Sequence, residues 1–208
     1  IVREPDRLML VALEDVAPRP VLFIQENVMT IHRQVAWPLA VAAAAAVMVA
    51  AVAPALAQSP AIAKAVLKDK SGKEVGEANL TQTKNGVLIR LSVKGIEPGE
   101  HAFHVHAVGK CEAPFTSAGG HFNPASHKHG LESAEGAHAG DMPNLHVPQN
   151  GDLKVEVFNA MITLAKGQPN SVFDADGSAL VIHAKADDNK TDPAGDAGDR
   201  IACGVVTE

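Results

Sequence analysis

Six of the ten histidines in this 208-residue chain lie between residues 101 and 129. Two of them, His104 and His106, are separated by one residue inside an apolar run. Side chains alternate between the two faces of an extended strand, so these imidazoles are predicted to point into one small volume. Neutral imidazole is the commonest metal ligand that proteins supply near neutral pH. The spacing therefore predicts a metal site built on a strand.

Further candidate ligands follow along the chain, and their types indicate which metal each group suits. Four imidazoles without a thiolate suit copper, and His121 and His183 would complete such a set with the strand pair. Three imidazoles with one carboxylate suit tetrahedral zinc. The chain offers that combination in one stretch, as His121 or a neighbour, His129, His138 and Asp141. Composition alone leaves open whether these groups form one site, two sites or none.

Four histidines stand apart from these groups and have an ordinary explanation. An isolated histidine is more often a surface or hydrogen-bonding residue than a ligand, and this interpretation applies to His32, His101, His127 and His146. The clustered histidines differ, because an imidazole buried without a partner costs about 1–3 kcal/mol. Binding a metal ion removes that cost.

The first 57 residues are not expected to belong to the folded domain. Residues 29–57 have the features of a secretory signal peptide, with an apolar run at 39–52 and a small-residue cleavage motif at 55–57. A membrane anchor is the alternative, but the run is short for a span and no positive cluster follows it. Residues 1–28 are too few to bury a core and are interpreted as an upstream extension.

Residues 58–208 remain as one domain of ordinary size. The chain has a formal net charge of −6 and no basic stripe, which argues against nucleic acid as a partner. Its two cysteines, Cys111 and Cys203, most simply form one disulfide if the domain is exported. No membrane contact is expected after signal cleavage.

The hydrophobic pattern of this domain predicts short strands instead of helices. Apolar residues alternate with polar ones across 86–93, which is typical of a half-buried strand. Short strands separated by Gly and Pro turns indicate a sandwich or barrel. Two long segments, about 109–151 and 185–200, have no strand pattern, and loops of this length are usually either functional or disordered. The first carries many potential ligands, so metal binding could organise it, whereas the second is charged and has a solvated surface loop as its ordinary interpretation. Further strands are predicted at 61–67, 73–80, 101–108, 154–158, 178–183 and 201–206.

A resemblance to a known family rests on six motifs that occur in order. They are HAFHVH at 101–106, CEAPFTSAGGHFNP at 111–124, KHG at 128–130, GAHAGDMPN at 136–144, LVIHAKADD at 180–188 and GDAGDRIACGVV at 195–206. Through them, the domain closely resembles the copper–zinc superoxide dismutases, specifically their exported bacterial branch. The resemblance implies an all-β Greek-key β-barrel or sandwich of about eight antiparallel strands with two long functional loops. It also implies a periplasmic location.

The same resemblance implies a role for each candidate residue. Asp187 would link ligands of the two metals, and the disulfide would pin the long loop to the last strand. Arg200 would stand at the mouth of the copper channel. The implied copper ligands are His104, His106, His121 and His183. The implied zinc ligands are His121, His129, His138 and Asp141, so His121 would bridge the two metals.

The implied activity converts superoxide to dioxygen and hydrogen peroxide by copper redox cycling, with His121 and Arg200 as catalytic residues. Arg200 would offer superoxide a fixed positive charge. Its alternative role is a surface ion pair with Asp196 or Asp199. Because an acidic domain repels an anion at long range, positive side chains near the site would have to steer it. The candidates are Lys128, Lys185 and Lys190.

Two other functions are compatible with the same sequence. The first is a non-enzymatic copper-binding or copper-delivery module on the same barrel, and the second is a zinc-stabilised structural domain. The copper module would be expected to lack a copper histidine or Arg200, and this chain has them all. In the structural domain, the copper half of the site would be vestigial. Superoxide is the predicted substrate, and a homodimer is left open.

Overall fold

The computed structural model of this chain describes residues 61–208. The interpretations of 1–28 as an upstream extension and of 29–57 as a signal peptide concern residues outside this range and stay predictions. The described residues form one short 3₁₀ helix, Thr116–Ala118, and nine strands. The strands are β1 (Ile62–Asp69), β2 (Glu74–Thr83), β3 (Gly86–Val93), β4 (Gly99–His101), β5 (Phe103–His106), β6 (Leu145–Val147), β7 (Leu153–Asn159), β8 (Ala179–His183) and β9 (Arg200–Val205).

Seven of these strands form one antiparallel sheet in the order β5-β8-β9-β1-β2-β3-β7, and β4 pairs with β6 in a second sheet. Strands β1, β2 and β3 follow one another directly, and β9 returns to lie beside β1. A later strand that closes beside the first of three consecutive strands defines a Greek key. The large sheet curls into a half-barrel around an apolar core. The expected all-β Greek-key architecture is confirmed.

Strand β3 shows why these segments are extended. Val87, Ile89 and Leu91 are buried in the core. Arg90 between them is exposed, and its Nε donates a hydrogen bond of 2.8 Å to Glu156 on β7. Burial of each large apolar side chain contributes about 1.5–3 kcal/mol, so the alternation fixes which face turns inward.

The structure differs from the sequence prediction around the first histidine strand. The predicted strand over 101–108 is interrupted at Ala102, where β4 leaves to pair with β6 and β5 pairs with β8. Strand β6 lies inside the segment predicted as a loop. Three residues are too few to show an alternating pattern, which is why β6 could not be recognised.

Two long connections carry most of the polar chemistry. The first loop (residues 107–144) joins β5 to β6, and the second loop (residues 184–199) joins β8 to β9. The first loop is attached to β5 by backbone hydrogen bonds. Phe122 N donates to Val105 O over 2.8 Å, and Val105 N donates to Gly140 O over 2.9 Å. The loop is therefore held against the strand that carries the paired histidines.

A disulfide between Cys111 and Cys203 ties the first loop to β9, with the two Cα atoms 5.6 Å apart. The predicted pairing is confirmed.

Among the described residues, no helix combines the length and the apolar character needed to cross a bilayer.

Candidate metal centre

Four histidines from three parts of the fold converge in the interior. Strand β5 contributes two, because residues i and i+2 of a strand share a face. Strand β8 and the first loop contribute one each. All four are buried, and each offers a ring nitrogen within 4.8 Å of the others. The four-histidine set is His104, His106, His121 and His183.

Hydrogen bonds determine which ring nitrogen turns toward the centre of this set. His106 Nδ1 lies 3.0 Å from the Gly119 carbonyl, and His183 Nδ1 lies 3.3 Å from the Gly198 carbonyl. A carbonyl oxygen only accepts, so both Nδ1 atoms carry the proton and both Nε2 atoms present lone pairs. These two Nε2 atoms face each other at 3.3 Å. Lone pairs at this distance repel unless a proton or a metal ion lies between them.

The pKa values of these histidines argue against a proton. Burial lowers the pKa of His104 to about 4 and that of His183 to about 3. Burial also lowers the pKa of His106 well below its ordinary value, and the positive charge of Arg200 adds to this effect. The imidazoles are therefore neutral at neutral pH. A metal ion bound between the two Nε2 atoms would relieve the repulsion.

The first loop supplies a second set, which shares His121 with the first. The Nδ1 atoms of His121, His129 and His138 lie 2.8, 3.1 and 3.4 Å from one carboxylate oxygen, Oδ1 of Asp141. All four residues are buried. Three imidazoles and a carboxylate in this arrangement are the donors that tetrahedral zinc prefers.

The carboxylate of Asp141 is held in place by its second oxygen. Oδ2 accepts hydrogen bonds from the backbone N–H groups of Gly130 and His138, over 2.9 and 3.0 Å. Burial alone would raise the pKa of Asp141, but hydrogen bonds from His121 and His129 outweigh it and hold the pKa below its ordinary range. Asp141 therefore stays ionised, with its charge directed at the three imidazoles.

Asp187 in the second loop connects the two sets. Its Oδ2 lies 2.7 Å from His104 Nε2, and its Oδ1 lies 3.0 Å from His129 Nε2. Burial alone would raise the pKa of Asp187, but the hydrogen bonds from these two rings lower it. Because His104 Nε2 donates to Asp187, its Nδ1 is left as the lone pair that faces the four-histidine set. Asp187 thus contacts one member of each set, as the resemblance implies.

His129 differs from the other histidines of the site because both of its ring nitrogens face carboxylates. Burial opposes its charged form, yet the hydrogen bonds with Asp141 and Asp187 raise the pKa of His129 to about 9. This imidazole is consequently a cation at neutral pH when no metal is bound. Burial lowers the pKa of His138, the third imidazole of the second set.

Arg200 lies at the start of β9, beside the four-histidine set. Its Nη1 donates to the Phe115 carbonyl and its Nη2 to the Gly119 carbonyl, each over 2.6 Å. The Gly119 carbonyl also faces His106 Nδ1, so one backbone group adjoins both the guanidinium and a histidine of the set. Among the described residues, no ion pair joins Arg200 to Asp199, which pairs with a lysine instead.

The three lysines considered for steering each lie beside a carboxylate, so their charges are partly neutralised. Lys128, Lys185 and Lys190 have side chains that are more than half exposed. Their partners, at N–O distances of 3.2, 3.6 and 2.8 Å, are Asp192, Asp196 and Glu132.

Sequence reasoning missed a lysine that shares a surface pocket with Arg200. Lys70, in the turn between β1 and β2, lines a surface pocket of about 230 Å³ together with Arg200 and Asp199. Its Nζ lies 3.0 Å from Asp199 Oδ2. The two partners are 129 positions apart in the chain, so no local pattern could reveal the contact.

The other histidines of the described chain lie outside both sets. His101 is buried, and its ring nitrogens lie 2.8 Å from the carbonyls of Glu97 and His183. His127 Nδ1 lies 3.1 Å from a backbone carbonyl, and His146 is exposed beside Glu100. The structure agrees with their interpretation as hydrogen-bonding or surface residues.

This geometry agrees with what comparison with known proteins shows. A family described as Copper/zinc superoxide dismutase (SODC) matches residues 74–206. Superoxide dismutase (Cu-Zn) 1 of Aquifex aeolicus is 54% identical over 140 residues, covering 66% of this chain and 83% of the relative. Superoxide dismutase (Cu-Zn) of Caulobacter vibrioides is 43% identical over 148 residues, covering 69% and 84%. The crystal structure of a SOD-like protein from Bacillus subtilis superposes with a TM-score of 0.66 at 38% identity, covering 68% and 96%.

The curled Greek-key sheet and the two ligand sets define an all-β protein with two adjoining candidate metal sites. The chain belongs to the copper/zinc superoxide dismutase family. Membership in this family implies copper and zinc as cofactors. Whether the residues of this chain fit these metals can be judged from the buried ring nitrogens that lack a hydrogen-bond partner. Within the described part of the chain, His104 Nδ1, His121 Nε2 and His138 Nδ1 have no hydrogen-bond partner. Such atoms are costly in the interior unless they bind a ligand, so the donor sets fit the two metals.

Proposed function

We propose that this protein is an exported superoxide dismutase that converts two superoxide anions and two protons into dioxygen and hydrogen peroxide. The observation that carries the proposal is the shared imidazole of His121. Its Nε2 is unpartnered and belongs to the four-histidine set, while its Nδ1 lies 2.8 Å from the carboxylate of the second set. The four-histidine set holds copper, and the set around Asp141 holds zinc.

The two metals divide the chemistry, because copper transfers one electron in either direction whereas zinc is redox-inert. The residues of the chain supply position, charge and protons. His121 Nε2 is the ring atom placed to hold a proton and deliver it to the reduced substrate. His121 Nδ1 belongs to the second set together with Asp141, so a metal ion held by that set would keep the ring from turning while Nε2 gains or loses its proton.

Arg200 binds and orients the anionic substrate at the edge of the four-histidine set. A guanidinium offers a permanent charge and planar N–H donors, which suit a small oxyanion. Its two hydrogen bonds to the carbonyls of Phe115 and Gly119 fix the group without neutralising it, because neither acceptor is charged. Its position therefore favours catalysis over simple metal storage.

Export is supported by two observations. The Cys111–Cys203 disulfide is of the kind that persists in oxidising compartments. Curated relatives include proteins named extracellular superoxide dismutase, at 38% identity in Haemonchus contortus and 37% in Brugia pahangi. A periplasmic location follows if residues 29–57 act as the signal. The homodimer stays a prediction.

Metal analysis combined with a dismutation assay tests the proposed function. We expect one copper and one zinc per chain, and activity that disappears when copper is removed and returns when it is restored. A protein that binds copper at this site without dismutation would be the copper-binding or copper-delivery module instead. A protein that binds only zinc would be a structural domain.

The shared ring can be tested separately. Cobalt(II) placed in the zinc set and copper(II) in the four-histidine set would couple magnetically through one imidazolate, so we expect the copper electron paramagnetic resonance signal to be lost. His127→Ala should leave this coupling intact, because His127 is exposed and belongs to neither set. An undiminished copper signal in the doubly loaded wild type would mean that the two metals do not share His121.

A further inference from the structure

One carboxylate of the second loop contacts the backbone of a residue that binds zinc in the proposed function. Asp192 Oδ1 accepts a hydrogen bond of 3.0 Å from the backbone N–H of His129. Its Oδ2 lies 3.2 Å from Lys128 Nζ. Asp192 thus reaches across 63 positions of sequence to two consecutive residues of the first loop. No sequence motif indicated this contact.

The contact belongs to a wider docking of the second loop on the first. Glu132 N donates to the Asn189 carbonyl over 3.1 Å, and Lys190 Nζ lies 2.8 Å from the Glu132 carboxylate. Gly130 has a φ of +107°, and a Cβ added there would collide with the Asn189 carbonyl. The two backbones therefore approach each other as closely as a glycine allows, immediately after His129.

We propose that Asp192 is a positioning residue for His129, an inference that rests on the proposed zinc role of that histidine. The ring of His129 is held by Asp141 and Asp187, which determine its orientation. The backbone N–H of the next residue, Gly130, is bonded to Asp141 Oδ2, but among the described residues the N–H of His129 itself is bonded only to Asp192. Asp192 fixes the backbone N–H, so the second loop places this ligand before any metal arrives.

Preorganisation of this kind raises metal affinity because the ligand no longer has to be ordered on binding. Groups that orient a metal ligand are typically worth a factor of 10–100 in affinity. Asp192 contacts the backbone instead of the ring, so we expect the lower end of that range. The effect should be confined to the second set, because the four-histidine set has no contact with Asp192.

The experiment titrates the metal-free protein with cobalt(II) and zinc, following the visible absorption of cobalt and its displacement by zinc. Asp192→Ala should weaken zinc binding about tenfold and alter the cobalt spectrum, while copper affinity stays within about twofold. Asp192→Asn should recover most of the zinc affinity, because its amide oxygen can still accept from His129 N. Asp196→Asn removes a negative charge from the same loop without touching His129 and should behave like the wild type.

Three outcomes would overturn the proposal. In the first, Asp192→Ala binds zinc as tightly as the wild type. In the second, Asp192→Asn is as weak as Asp192→Ala, which would make the charge pair with Lys128 the cause. In the third, Asp196→Asn weakens zinc binding equally, which would make the effect one of general charge. A wild-type protein that binds no zinc at all would instead remove the proposed function, and this positioning role with it.

Discussion

At the scale of single residues, the partner of one ring nitrogen decides what the other nitrogen can do. Carbonyls hold the Nδ1 protons of His106 and His183, and Asp187 holds the Nε2 proton of His104. Each ring therefore directs a lone pair into the four-histidine set. His129 is the exception, because carboxylates face both of its nitrogens and keep it cationic.

This difference predicts that the two metals release different numbers of protons. The pKa of His129 is raised to about 9, so the ring is protonated at pH 7.5 and must lose its proton to bind zinc. The pKa values of His104 and His183 are lowered to about 4 and 3, so these rings are already neutral. We expect zinc binding to the metal-free protein to release about one proton, as measured by calorimetry in buffers of different ionisation enthalpy.

Two variants check the source of that proton. His129→Gln should abolish the release, whereas His127→Gln, an exposed histidine two positions earlier, should leave it unchanged. Release that persists in His129→Gln would place the proton on another group. Above pH 9 the wild type should bind zinc without releasing it, because the folded protein has then already lost that proton.

The candidate ligands could be predicted from sequence, whereas their orientation could not. The His-x-His spacing on a strand predicts that His104 and His106 share a face, and the six motifs supply the partition between two metals. The ring nitrogen that turns inward depends on Gly119, Gly198 and Asp187. These contacts exist only after the loops have docked, so they leave no periodic signal in the chain.

At the scale of elements, the first loop depends on close backbone contact with β5. Gly140 N donates to Phe122 O over 2.8 Å, and Gly140 O accepts from Val105 N. A Cβ on Gly140 would collide with the Val105 carbonyl. Asp141 follows directly, so the approach of the loop to the strand also places the carboxylate of the second set.

Replacement of Gly140 by alanine should therefore disturb the site through the backbone. We expect Gly140→Ala to lower the free energy of unfolding by about 1–3 kcal/mol, the usual cost of overpacking, and to reduce retention of both metals. Urea denaturation and metal analysis after dialysis measure the two effects.

Gly120→Ala is the matched control from the same loop. Nothing lies within 4 Å of a Cβ added at Gly120. Its free energy of unfolding should change by less than about 0.5 kcal/mol. Equal destabilisation by both substitutions would mean that the loop tolerates no added methyl group, whatever its contact with β5.

Prediction of strands from the sequence succeeded where a strand is long and has one buried and one exposed face. The alternation across 86–93 predicts β3 with its observed ends. The break at Ala102 and the short strand β6 were not predicted, because both result from pairing with distant segments. The hydrogen bonds from Ala102 N to Lys185 O and from His183 N to Ala102 O are such contacts, and they hold the end of β8 near the break.

At the scale of the whole molecule, an acidic protein must attract an anion. The chain carries a formal net charge of −6, so attraction has to come from local positive charge. Arg200 and Lys70 line one pocket, and Lys70 pairs with Asp199, the carboxylate next to Arg200 in the chain. Lys70 thereby limits how far Asp199 offsets the guanidinium.

Reversal of this charge should slow substrate capture. We expect Lys70→Glu to lower kcat/KM for superoxide about fivefold at low ionic strength, because two units of charge change near the pocket. The deficit should shrink at about 0.5 M salt, where screening shortens the range of the field. Pulse radiolysis across a salt series measures both effects.

Lys73→Glu reverses an equal charge close by in the chain, at a residue outside the pocket. It should affect kcat/KM less than Lys70→Glu at every salt concentration. Equal losses in the two variants would assign the effect to net charge and not to the pocket around Arg200.

The disulfide between the first loop and β9 also links Arg200 to the loop that carries its two hydrogen-bond acceptors. Arg200 begins β9, and its acceptors Phe115 and Gly119 lie a few residues beyond Cys111 in the first loop. The position of the guanidinium therefore depends on whether Cys111 and Cys203 are oxidised, and hence on the reduction potential of the surroundings. While the cysteines are reduced, Arg200 and its two acceptors have no covalent restraint. If the protein is exported and Arg200 binds superoxide, as proposed, oxidation outside the cytoplasm would complete the substrate-binding site in the compartment where superoxide is met.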